Sequence, residues 1–162
     1  MCLIPWRQIF LYGGNAMSIC RKTNNFFKQS ARRKLLFFEA IMLFTAFRGL
    51  SLILPFRIFS KLLGKQHLDH AQEPQSLPSA LKDIAWAVDR SCFVAPWGKK
   101  CLINALTAKW LSKQFGIETI YFLGVGRDEE GKLIYHAWLK YGEYVLSGGC
   151  IEEHYKVLGL FR

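Results

Sequence analysis

The sequence predicts an α+β domain, with helices first and an antiparallel sheet after them. Apolar residues recur at helical spacing through residue 115, then give way at Ile117 to runs of β-formers. Turn chemistry punctuates the second part: Asp-Glu-Glu-Gly within Arg127–Lys132 and Tyr141-Gly142-Glu143. At 162 residues, 51% hydrophobic and 21% charged, the chain has the composition of one folded domain with a real core.

Residues 1–22 read as an extension. Met17 precedes the basic, polar segment Arg21–Lys34 and reads as the natural start, with 1–16 as upstream sequence. Residues 23–64 form an N-terminal helical region. A long helix is expected from Ser30 to near Leu54, its core stripe made by Leu35, Phe38, Met42 and Ala46. Pro55 breaks it, because the residue before a proline is driven out of the helical region, and a short helix ends at Gly64. Residues 65–78 are polar with two prolines and read as a linker. Residues 79–162 form the core. Its first helix buries Leu81, Ile84, Ala85, Val88 and Cys92; Pro96-Trp97-Gly98 makes a turn; a second helix runs from Cys101 to Phe115 and stops at Gly116, a left-handed C-cap. Strands follow over Ile117–Gly126, Leu133–Tyr141 and Tyr144–Ser147, and Gly148-Gly149 ends the last.

The net charge of +10 favours acidic partners, but charge speaks to association and not to chemistry, and no nucleic-acid role is assigned. Leu35–Phe59 is the most apolar stretch, yet Glu39 and Arg48 cut it into short runs, below the about 20 residues a spanning helix needs. It is expected to pack in the core. Arg32, Arg33, Lys34, Arg57 and Lys61 flank it and suit the polar edge of an interfacial helix, so a membrane-peripheral protein is a competing reading. The first 16 residues lack the pattern of a signal peptide. Five cysteines at irregular spacing point to reduced thiols and a cytoplasmic setting. Neither Cys92, Cys101, Cys150 and His154 nor His67 and His70 show the paired ligand spacing of zinc sites, so no metal is expected.

Cys101 lies in the first turn of its helix, behind Lys99 and Lys100. Free backbone N–H groups, the helix dipole and adjacent positive charge all favour a thiolate, the nucleophilic form. The same N–H groups suit a developing oxyanion. His136 alternates with Leu133, Tyr135, Ala137 and Leu139, a core-facing set, and so points with Trp138 to the other side of its strand. An imidazole beside a thiolate can take and return the proton of acyl transfer.

Pro96-Trp97-x-x-x-Cys101-Leu102-x-x-Ala105-Leu106, Gly116-Ile117, Leu123-Gly124-Val125, His136-Ala137-Trp138-Leu139, Gly148-Gly149 and Tyr155 together resemble the leader peptidase of lasso-peptide biosynthesis, the B protein or its C-terminal half where the gene is split. The resemblance spans about 30–162, including Glu39-Ala40 and Leu54-Pro55-Phe56. It implies a transglutaminase-like, papain-related cysteine peptidase core with an N-terminal helical extension. It also implies removal of the leader from a ribosomally made precursor, with Cys101 as nucleophile and His136 as base and acid, and Trp97 and Trp138 as oxyanion or substrate-groove residues. The split form further implies a separate leader-recognition protein and an asparagine-synthetase-like cyclase as partners. ATP dependence is a property of the family, while no nucleotide motif stands in this sequence: no P-loop lysine follows Gly124-Val125-Gly126.

The family carries an Asp where this sequence has Gly148. A two-residue turn is expected to set Ser147 or Gly148 opposite His136. Glu152, Glu153, Ser147 or a backbone carbonyl are the alternatives for orienting the ring. A degenerate binding module that presents the precursor to a cyclase is the alternative function, and acyl transfer to an amine in place of water is a related activity.

Overall fold

The computed structural model describes residues 29–66, 76–95, 100–149 and 154–162. Its helices are α1 (Ala31–Ile53), the single turn α2 (Phe56–Phe59) running into a 3-10 turn at Ser60–Leu63, α3 (Ser79–Val94) and α4 (Cys101–Gln114). Strands β1 (Ile120–Arg127), β2 (Leu133–Tyr141), β3 (Tyr144–Ser147) and β4 (Lys156–Phe161) form one sheet in the order β3-β2-β1-β4, antiparallel throughout. The expected succession of helices and sheet is what the chain adopts.

Local chemistry places the helix ends. The Ser30 hydroxyl accepts from the Arg33 N–H and caps α1. The C-terminus of α4 closes as a Schellman turn: Gly116, at φ 66°, donates to the Lys113 carbonyl and Ile117 to that of Ser112. α4 is the central helix. It packs on α1, on α3 and on the sheet, and is buried at Ile103, Ala105, Leu106, Thr107, Ala108, Leu111 and Ser112, more than one helical face. The core continues through Leu81, Ile84, Ala87, Val88 and Cys92 of α3 and Tyr121, Ala137, Leu139 and Leu146 of the sheet. Cys92 is the core residue its spacing predicted, and its thiol donates to the Val88 carbonyl at 3.0 Å.

The face that α1 buries differs from the expected one. Leu36, Ala40, Phe44 and Phe47 point inward, while Leu35 and Met42 are 70% and 71% exposed and Phe38 and Ala46 also face out. The helix has two apolar sides, and polar partners choose between them. Arg33 bonds Asp83 of α3 at 2.6 Å and lies over the Trp86 ring, which turns the Leu36–Ala40 side inward. Phe47 then meets Trp110 edge to face at 5.9 Å. α1 is long and apolar enough to cross a membrane, but one of its sides belongs to the core shared with α3 and α4.

β4 was not anticipated. It lies outside β1, pairing Tyr121 with Phe161 and Leu123 with Gly159, and then slips by one residue so that Gly124 meets Val157. Leu158 is the extra residue of that bulge. Past β4, the Lys65 and Arg162 backbones exchange hydrogen bonds, and Lys109 Nζ donates to the carbonyls of Leu63 and Phe161. The end of the helical region is thereby fastened to the sheet edge.

Candidate active site

Cys101 is the first residue of α4. Its N-cap, Lys100, supplies no side-chain cap, and the Asn104 N–H is the one that returns to the Lys100 carbonyl. Among the described residues no side chain caps this end, and the Leu102 N–H turns to the thiol. β3 pairs only with Leu139–Tyr141 of β2, so among the described residues the earlier part of β2 has no strand on that side. The start of α4 meets β2 there, and the thiol hydrogen-bonds to the His136 side chain and to the backbone at Ala137 and Leu102.

Burial by itself pushes the Cys101 thiol up. The hydrogen bond and positive charge of His136, with the two backbone N–H groups, outweigh it, and the thiol ends below its ordinary value. Lys100, expected to help, is exposed and is not among the groups that lower it.

His136 Nε2 lies 2.7 Å from the Gly148 carbonyl oxygen. A carbonyl only accepts, so Nε2 carries the proton in this bond and Nδ1 is the nitrogen left for the thiol. The ring is held from behind by Trp138, stacked at 5.9 Å and 17°, and by Tyr155 at 5.0 Å. Trp138 in turn stacks on Phe122 at 5.3 Å.

The third position is filled by backbone. The Tyr141–Tyr144 turn, with a one-residue shift between Leu139 and Lys140, pairs Ser147 with Leu139 and not with His136. The expectation that Ser147 or Gly148 lies directly opposite His136 is thus corrected: the irregularity after the turn shifts the register, and the pairing ends at Leu139, short of His136. Gly148 meets the ring through its carbonyl instead. It stands at φ 80°, and a Cβ there would lie 2.4 Å from the Ala137 carbonyl oxygen and 2.8 Å from Trp138 Cα. Glycine is what permits the chain to cross β2 this closely.

Trp138 is 2% exposed and forms the wall behind His136, so it does not line the groove in front of Cys101. Trp97, Glu152 and Glu153, with His67, His70 and Cys150, lie outside the described residues. Among the described residues, no three His, Cys, Asp or Glu gather as a metal site.

Tyr121 was missed. It is fully buried under the first turn of α4, and its hydroxyl donates to the Leu102 carbonyl at 3.2 Å. Burial pushes its phenol well up, and negative charge at Cys101 adds to this, so it stays a neutral donor. The available signal was a polar-tipped residue at a core-facing position of β1. In front of the thiol opens a cavity of about 300 Å3, lined by Cys101, Leu102, Leu123, Tyr135, His136, Ala137 and Leu158.

No curated protein and no solved structure matches the chain. A family model matches residues 50–159, from within α1 to β4, more than half of the chain and the whole of the Cys101–His136 arrangement. By that match, the chain belongs to the transglutaminase-like superfamily.

Proposed function

We propose that this protein is a cysteine peptidase that removes the leader peptide from a ribosomally made lasso-peptide precursor. The superfamily includes cysteine peptidases. One observation carries the chemistry: a lowered thiol at an uncapped helix start, hydrogen-bonded to an imidazole whose far nitrogen is held by a carbonyl. The motif set running from Pro96-Trp97 to His136-Ala137-Trp138 supports the substrate.

The Cys101 thiolate attacks the scissile carbonyl carbon, and the oxyanion develops toward the backbone N–H groups at the start of α4. His136, protonated, gives its Nδ1 proton to the leaving amine as the C–N bond breaks, which frees the amino terminus of the peptide. The ring then takes a proton from water, whose oxygen attacks the thioester carbonyl. The carboxylic acid leaves as the proton returns to sulfur. Through both steps the Gly148 carbonyl holds Nε2–H and keeps the ring in one tautomer. The freed amine is the group that a separate asparagine-synthetase-like cyclase would join to an acidic side chain. A separate leader-recognition protein would deliver the precursor, and an ATP requirement would come from the assembled system.

Cys101→Ala is expected to abolish leader removal with the partner protein supplied, while the thermal transition of the variant stays close to wild type. Undiminished cleavage would sink the proposal. A second reading, a non-catalytic module that presents the precursor, is favoured by the glycine where the family carries a carboxylate. Alkylation of Cys101 across pH separates the two: a profile shifted below that of a free thiol supports the peptidase, and an ordinary profile supports the module.

A further inference from the structure

The groove in front of Cys101 is apolar, and its walls come from four elements: Leu102 of α4, Leu123 of β1, Tyr135 and Ala137 of β2, and Leu158 of β4. Exposed apolar side chains surround it. Tyr135 is 63% exposed and Leu158 51%, and Leu133, two residues before Tyr135 on the same side of β2, is exposed as well. A soluble surface seldom gathers such residues without a ligand to cover them.

Leu158 is there because of the bulge. Phe122–Leu160 and Leu123–Gly159 set a register in which a straight β4 would pair Leu158 with Gly124, on the sheet side of His136 and Trp138. The slip pairs Val157 with Gly124 instead. A one-residue shift reverses the side a strand residue faces, and bulges beside active sites commonly re-aim a side chain in this way. Leu158 is thereby brought to the groove that holds the thiol.

We infer that this groove is a specificity subsite which receives one apolar side chain of the substrate beside the scissile carbonyl, and that Leu158 is the residue that sets the preference. The inference rests on Cys101 as the reacting nucleophile. At about 300 Å3 the cavity sits at the lower end of ligand pockets, a size for one large side chain and not for a folded partner. Among the described residues its lining offers a charged side chain no counter-charge beyond the Cys101–His136 pair, whose charges already satisfy each other, so charged residues at this position should be disfavoured by their desolvation cost.

The test is alkylation of the full chain with iodoacetamide and with N-benzyl iodoacetamide. Modification is read at the Cys101 peptide by mass spectrometry, and the benzyl-to-plain rate ratio is normalised to that of glutathione. A normalised ratio of about tenfold or more is expected, the scale of an apolar pocket contact. Leu158→Asp should bring it to near one, Leu158→Met should keep it, and Leu158→Ala should move the preference toward a naphthyl reagent. A wild-type ratio near one, a ratio unchanged in Leu158→Asp, or a Cys101 closed to both reagents overturns the inference. The pH profile is read separately. A lowered thiol without benzyl preference removes the subsite and leaves the peptidase, whereas benzyl preference at an ordinary thiol does the reverse.

Discussion

The two ends of α4 handle their polar groups in opposite ways. At the N-terminal end Lys100 gives no side-chain cap, the Leu102 amide turns to the Cys101 thiol, and an apolar groove opens in front. At the C-terminal end Gly116 and Ile117 close a Schellman turn, and Lys109, about two turns earlier, holds the carbonyls of Leu63 and Phe161. The same helix thus turns backbone donors to a thiol at one end and satisfies its groups within the fold where the helical region joins the sheet. Donors already aimed at a thiol are placed to stabilise charge that appears during a reaction.

The largest expected effect comes from disturbing the reactive end through Gly148. The family's carboxylate suggests that Gly148→Asp would improve the site. The backbone predicts the opposite, since a side chain at φ 80° collides with the Ala137 carbonyl and carries the Gly148 carbonyl away from His136. Cleavage and Cys101 alkylation near pH 6 should both slow on the order of 10²-fold, the scale of a displaced catalytic group. Stability should fall by about 1–3 kcal/mol from the strained conformation. A variant as fast as wild type would show that the ring needs no carbonyl.

Lys109→Met probes the closed end. It leaves two carbonyls without their donor, and unfolding free energy should drop by about 1–3 kcal/mol with the alkylation profile of Cys101 unchanged. The pH dependence sharpens this. Burial first, and then Lys113, lower Lys109 from 10.5 to about 8. Between those values the unfolded chain keeps a proton that the folded one sheds, so stability from this group rises with pH across the window. The neutral amine still has N–H groups for both carbonyls. Wild type should therefore gain on Lys109→Met between pH 8 and 10 in denaturant titrations, and a constant gap would argue that the amine is not desolvated.

The smallest effect is expected from Tyr121→Phe. It removes the bond to the Leu102 carbonyl beneath the reactive end and should cost about 1 kcal/mol of unfolding free energy. A loss below a few tenths would mean that the first turn of α4 is held by packing alone.

Much of the site was legible in the sequence. Cys101 after Pro96-Trp97-Gly98, at the head of a helical pattern, and His136 on an alternating strand are local signals, and local signals survive folding. A backbone carbonyl was among the alternatives for orienting His136, but that it belongs to Gly148 was hidden, because a sequence spells side chains and leaves the direction of the main chain open. β4 was hidden for a related reason. Lys156–Phe161 is short, has Gly159 in it, and pairs with β1 instead of its neighbour in sequence.

The sequence by itself determined the succession of helices and the first three strands, the helix ends at Ser30 and Gly116, and the candidate pair Cys101 and His136, all matters of period, capping and residue chemistry within a few positions. Tertiary structure alone decided which side of α1 is buried, what orients His136 and how Leu158 comes to face Cys101. Each of those depends on a contact between distant segments: Arg33 with Asp83, the Gly148 carbonyl with a ring on β2, and a bulged β4 against β1. An apolar stripe or a glycine is compatible with several such contacts, and only packing selects among them.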